Sequence, residues 1–162
     1  MRYVAIEEFD DQQWHDCWRV MYDPDLAAHM GVATELVATP PTLVQFYDNI
    51  TKAVQEGRFQ LFAAVSDEGK YLGHAVLDKR LGEWELGVVL RDRSDWGSGI
   101  GARLAMYALR WAFEEDGAEW VVAFTQGMDL NVPRLLKRGG FRPFANMLLM
   151  DRRTFIERWG GK

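Results

Sequence analysis

The run Leu90-Arg91-Asp92-Arg93-Ser94-Asp95-Trp96-Gly97-Ser98-Gly99-Ile100-Gly101-Ala102-Arg103 places glycines at 97, 99 and 101. Glycine lets backbone approach a ligand closely, and the first N–H groups of a helix have no partner inside it. With the helix dipole, such a start is a site for an anion of pyrophosphate type. Two better-known phosphate loops do not fit. Gly97-Ser98-Gly99-Ile100-Gly101 lacks the G-x-G-x-x-G spacing of a dinucleotide fold, and no Gly-Lys-Ser/Thr is present for a P-loop. A glycine-rich turn that only starts a helix is the remaining alternative.

The elements around this run follow from periodicity. Arg2 to Phe9 reads as a first strand, with Asp10 and Asp11 able to cap the helix that follows. Trp14, Cys17, Trp18 and Met21 give that helix one apolar face. Asp23-Pro24 stops it and has the form of a new helix start. Thr42 with Gln45 is a capping-box pair ahead of the stripe Leu43, Phe46, Tyr47, Ile50 and Val54, which Gly57 closes. Phe59 to Val65, Tyr71 to Asp78 and Trp84 to Leu90 read as an antiparallel meander. A helix after the glycine loop carries Ile100, Leu104, Tyr107 and Trp111 on one face. Glu119 to Gln126 is a strand, Val132 to Arg138 a short helix, and Asn146 to Asp151 a last strand. The fourth and fifth strands are joined through a helix and should lie parallel. The expected class is mixed α/β, in one domain over 1–162.

Composition narrows the function. Nineteen Lys and Arg against twenty-four Asp and Glu leave a net charge of -5, which disfavours nonspecific nucleic-acid binding and suits a cationic substrate. A single cysteine, Cys17, excludes an intramolecular disulfide and a cysteine-based zinc site, and no metal is expected. No apolar run nears the ~20 residues that span a bilayer. Met1 to Phe9 carries two glutamates and does not read as a signal peptide. The expectation is a cytoplasmic protein, monomeric or homodimeric, without membrane contact.

Trp96-Gly97-Ser98-Gly99-Ile100-Gly101-Ala102 resembles the acyl-CoA pyrophosphate loop of GNAT-superfamily N-acetyltransferases, R/Q-x-x-G-x-G/A. Asp129-Leu130-Asn131-Val132-Pro133-Arg134-Leu135-Leu136-Lys137-Arg138-Gly139-Gly140-Phe141 resembles the family's N-x-x-A-x-x-L-Y-x-K-x-G-F segment. The two occur in the family's order, separated by a helix and a strand. Three positions depart from the pattern. Trp96 stands for Arg or Gln, Asp129 for Asn with Asn131 two residues later, and Leu136 for the Tyr that commonly protonates the CoA thiolate.

The resemblance implies a GNAT-like fold. Its central, mostly antiparallel twisted sheet would have about six strands with four or so helices, strands four and five splaying around acyl-CoA. It implies that backbone at Val89, Leu90 and Arg91 holds the acyl carbonyl and pantetheine arm. Trp96 and the N–H groups of Gly97, Ser98, Gly99, Ile100, Gly101 and Ala102 would hold the pyrophosphate. Arg91, Arg93 and Arg103 would add positive charge there, and Asn131, Arg134, Lys137 and Arg138 would reach the rest of the cofactor. The implied reaction is attack of a primary amine on acetyl-CoA, with Glu85 as candidate base and His74 as second candidate. Cross-strand pairing for Glu85 and core packing for His74 are the alternatives. His29, Tyr22, Asp23, Asp25 and Glu35 are candidates for an acceptor pocket. A GNAT-fold protein that binds acyl-CoA or a partner without turnover is the rival reading.

Overall fold

The computed structural model describes residues 1–29, 34–79, 82–125 and 131–160. The chain opens with β1 (Arg2–Ala5), shorter than expected because Ile6–Glu8 turns into a 3-10 helix. Four helices follow: α1 (Asp11–Met21), α2 (Pro24–His29), α3 (Thr34–Ala38) and α4 (Leu43–Gln55). The starts of α1, α2 and α4 are the capping signals read from sequence, whereas α3 was not expected. The Asp10 carboxylate accepts the Gln13 N–H at 2.8 Å, Asp23 accepts the Leu26 N–H at 2.9 Å, and Thr42 Oγ1 accepts the Gln45 N–H at 3.2 Å. Each satisfies a helix donor that would otherwise lack a partner.

The meander is β2 (Phe59–Val65), β3 (Tyr71–Asp78) and β4 (Trp84–Leu90). The glycine loop then leads into α5 (Ile100–Arg110), which continues as a wider π turn over Trp111–Glu115. After β5 (Trp120–Ala123) come α6 (Asn131–Gly139), β6 (Arg142–Phe144), β7 (Met147–Asp151) and α7 (Arg152–Trp159). The sheet therefore has seven strands, ordered β1-β2-β3-β4-β5-β7-β6, one more than expected. Every described neighbour pair is antiparallel except β4 with β5, which is parallel as the helical crossover requires.

Two apolar layers sandwich the sheet. On one face, Leu104, Ala108 and Leu109 of α5 and Phe155 of α7 pack on Trp84, Leu86, Val121 and Met150. On the other, Cys17 and Val20 of α1, Leu26 of α2 and Phe46 and Ala53 of α4 pack on Leu61, Ala63 and Val65. All seven residues of β2 are buried, because both of its faces are covered. Trp84 pins the start of β4: its indole N–H donates to Asp116 Oδ2 at 2.7 Å, and its ring meets Trp111 edge-on at 5.5 Å.

His74 lies in the second layer at 1 % exposure, far from being a surface base. Its Nδ1 is 2.6 Å from Tyr71 Oη, and Cys17 Sγ is 4.0 Å away. Burial pushes the Tyr71 phenol well above its ordinary value and the Cys17 thiol up to about 12, so both keep their protons. The phenol is thus the donor to a neutral imidazole, whose own pKa burial lowers to about 3. A folded value below the unfolded 6.5 means the unfolded chain binds the extra proton. The stability this neutral ring contributes is present above pH 6.5 and lost as pH falls toward 3. His74→Gln removes that titration. Urea denaturation from pH 7 to pH 4 should show parent stability falling more steeply than the variant's, by up to about 1.4 kcal/mol per pH unit. Parallel curves would contradict a neutral buried His74.

Gly73 allows the close approach of β3 to β4, since a Cβ there would stand 2.3 Å from the Val89 carbonyl oxygen. Gly73→Ala should cost about 3 kcal/mol in the same denaturation experiment, because backbone is what must move.

Candidate active site

The pairing of β4 with β5 covers only Trp84 with Val121 and Glu85 with Val122. Beyond them the strands part, and a cleft of about 670 Å³ opens between Leu86–Leu90 on one side and Ala123, Phe124 and Thr125 on the other. The cleft passes through the sheet. On the α5 face its walls are the glycine loop, the first turns of α5 and α6; on the other face they are Leu26 and His29 of α2.

Strand geometry says which backbone groups face the gap. The Arg91 N–H donates to the Leu72 carbonyl at 2.9 Å and so points at β3. Because successive residues alternate, Val89 and Gly87 also turn their N–H and C=O toward β3. Val88 and Leu90 turn theirs into the cleft. Of the three backbone positions expected from sequence, Leu90 alone has this orientation. Val89 lines the cleft without offering its amide, and Val88 was missed.

The loop has the backbone conformation that a glycine-rich helix start provides. Gly97 and Gly99 have φ of 81° and 85°, the left-handed region that favours glycine. Gly99 is the helix N-cap and supplies no side chain to the first turn. Ser98 Oγ takes the Ile100 N–H at 3.3 Å, and the Ser98 N–H is used by the Asp95 carbonyl at 3.2 Å. Trp96, Gly97, Gly99, Gly101 and Ala102 line the cleft. Ser98 therefore braces the loop, and the Ile100 side chain belongs to the core. The N–H groups of Gly101 and Ala102, in the first turn of α5, have no acceptor within the helix. Arg103 Nη1 lies 3.6 Å from where a Gly99 Cβ would stand, so its charge lies over this turn.

The other arginines divide. Arg91 is committed to structure: it pairs with Asp16 of α1 at 3.1 Å, and that carboxylate also accepts from Gln12 at 3.2 Å. Arg93 lies with its guanidinium 5.8 Å from the centre of the Trp96 ring. On α6, Arg134 and Arg138 line the cleft, whereas Lys137 does not. Leu136 lines it too, presenting no hydroxyl. The Asn131 side chain and Asp129 lie outside the described residues.

Glu85 stands at the last rung of the β4–β5 pairing, opposite Asp78 on β3, on the face shared with Gly87 and Val89. It is at the closed end of the cleft rather than on its wall. His74 shares that face but pairs with Val89, four residues along, roughly 13 Å from Glu85, so the two do not form one site.

Of the acceptor-side candidates, His29 alone reaches the cleft. Asp23 is spent on capping α2, Tyr22 packs edge-on against Phe46 at 6.0 Å, and Asp25 and Glu35 are exposed outside the lining. Burial raises the Tyr22 pKa. Leu26 was missed, although its place three residues after the capping Asp23 puts it on the inner side of a short helix. Among the described residues no group of three His, Cys, Asp or Glu could hold a metal ion. Nor is any described helix long and apolar enough to cross a membrane.

The architecture matches solved acetyltransferases along nearly the whole chain. Spermidine N-acetyltransferase from Vibrio cholerae, in complex with CoA and spermine, superposes with a TM-score of 0.74 at 9% identity, covering 96% of this chain and 97% of that one. Ribosomal-protein-S5-alanine acetyltransferase from Vibrio fischeri gives 0.71 at 15% identity, with 94% of each chain covered. A GNAT-family acetyltransferase from Bacillus anthracis gives 0.67 at 19% identity, covering 94% and 96%. No curated protein sequence matches the chain. These structural likenesses establish the fold. The sequence itself matches the acetyltransferase (GNAT) domain over residues 4–142, which includes the splayed strands, the glycine loop and α6, and the chain therefore belongs to the GNAT acetyltransferase family.

Proposed function

We propose that this protein transfers an acetyl group from acetyl-CoA to a primary amine by direct attack of the amine on the thioester. The observation that carries the reading is the coincidence of three features at one cleft. Among the described residues, strand β4 has no β5 partner at Val88 and Leu90, α5 begins with uncapped N–H groups behind Gly99, and Arg134 and Arg138 stand on the α6 wall. An extended amide chain fits the first, a pyrophosphate the second, and a further phosphate the third.

The two faces of the cleft divide the work. The α5 face carries the phosphate cradle, so the acyl donor lies there with its thioester reaching the gap between the strands. The α2 face is then the way in for the amine. Leu136 supplies no proton to the departing thiolate, and water from the open cleft is the acid in this reading. Similar structures include acetyltransferases named for a polyamine and for a ribosomal-protein alanine, and what those acceptors share is an amine nitrogen. The same Leu136 favours the second reading, a GNAT-fold protein that binds acyl-CoA without turnover.

Calorimetric titration with acetyl-CoA tests the cofactor site. The parent should bind saturably. Gly99→Trp should weaken binding by about 100-fold or more, roughly 2.8 kcal/mol or more. A bulky residue there meets both the left-handed backbone and the Arg103 guanidinium. Equal affinity for parent and variant would refute the assignment of the cradle. Turnover assayed by release of the CoA thiol then separates transfer from binding alone.

A further inference from the structure

Direct aminolysis needs a neutral nitrogen, and a primary ammonium with a pKa of ~10.4 must lose a proton first. Among the described residues lining the cleft there is no carboxylate, lysine, tyrosine or cysteine, and His29 is the one side chain there with a basic ring nitrogen whose lone pair can accept a proton. We propose that His29 is the proton acceptor for the incoming amine, a role that rests on the acetyl-transfer reading above.

Its surroundings prepare it for that task. His29 ends α2, beside Leu26, on the face through which the acceptor enters. Nδ1 lies 2.9 Å from the Asp25 carbonyl oxygen one turn earlier, and a carbonyl only accepts, so Nδ1 carries the proton. The Arg93 guanidinium, 3.4 Å from the same nitrogen, cannot donate to it once it is protonated and contributes charge alone. Nε2 is left with the lone pair. The indole of Trp96 holds the ring edge-on at 5.1 Å, which ties the acceptor side to the cofactor loop. The charged side chain that stands against the ring is thus Arg93 on the loop, while α2 itself contributes the Asp25 backbone carbonyl. Glu85, at the closed end of the cleft and off its wall, is less well placed for the same duty.

The step balances without any further reagent. The ammonium gives one proton to Nε2, and the freed lone pair forms the N–C bond to the thioester carbonyl carbon while the carbonyl π pair moves to oxygen. That pair returns as the C–S bond breaks. The sulfur leaves with its bonding electrons and takes the second proton of the attacking nitrogen, directly or through water. The imidazolium passes its proton to solvent.

The first test needs no acceptor. Imidazole nitrogen NMR on the intact protein should show His29 as the Nδ1–H tautomer, and an Nε2–H tautomer would overturn the proposal. The second uses spermidine and an alanine-led peptide as amine probes, following thiol release at saturating acetyl-CoA. His29→Gln should lower kcat by about 100-fold at neutral pH, leave acetyl-CoA affinity within about 2-fold, and recover as pH rises and the amine deprotonates itself. Added imidazole should restore part of the activity of His29→Ala, whereas Glu85→Gln should keep kcat within about 3-fold of the parent. Unchanged kcat in His29→Gln, or a loss confined to Glu85→Gln, would overturn the role while leaving acetyl transfer standing. A parent that binds acetyl-CoA but releases no thiol with either probe would overturn both together.

Discussion

The structure depends on a parallel contact that stops after two residues. Had β4 and β5 stayed paired to their ends, Val88 and Leu90 would have spent their backbone groups on the sheet, and no cleft would exist. The closed end is held hard. Trp84 is buried, hydrogen-bonded to Asp116 and packed on Trp111, and Arg152 donates to the Phe113 and Ala118 carbonyls beside the start of β5. The open end is held apart by its neighbours. β4 stays on β3 through Leu90 and, by the Arg91 N–H, one residue further, while β5 follows β7 instead. The first turn of α5 enters the space between, with Ile100 and Leu104 fixed in the core.

The same arrangement separates the polar groups that tie the elements together from those that face the cleft. Asp16, Arg91, Tyr71, His74 and Cys17 tie α1 to the ends of β3 and β4 on the side away from α5. The Arg91–Asp16 pair sits where β4 hands over to the glycine loop, with the carboxylate nearly buried and doubly bonded. Breaking one partner of such a pair strands a charge, so the direction in which the loop leaves the strand is strongly held. Groups facing the cleft are fewer and less encumbered: backbone amides, two α6 arginines, Thr125 and His29.

Much of this was legible in the residues. Asp10, Thr42 with Gln45 and Asp23-Pro24 marked three helix starts because caps are local chemistry. The parallel β4–β5 contact followed from the helix between the strands, and the loop was marked by its glycines, of which Gly97 and Gly99 take positive φ in the structure. β6 was missed because Pro143 in a three-residue exposed edge strand carries no strand signal. α7 was missed although Asp151 caps it through the Thr154 N–H, since Phe155 is its only buried residue and leaves little periodicity. The histidines show the harder limit. His74 sat on a strand aimed at the right face, but that face is covered by α1, which only the three-dimensional packing reveals. His29 was read from its position only as a candidate to line an acceptor pocket, as its partners Trp96 and Arg93 lie more than sixty residues away.

Amide hydrogen exchange of β4, read residue by residue by NMR with and without acetyl-CoA, tests the central claim most directly. If the acyl donor lies along the open edge of β4, the Val88 and Leu90 amides gain protection on binding, and the Gly87, Val89 and Arg91 amides, already bonded to β3, change little. Protection that appears on the second set and not the first, or on neither while acetyl-CoA is bound, would contradict it.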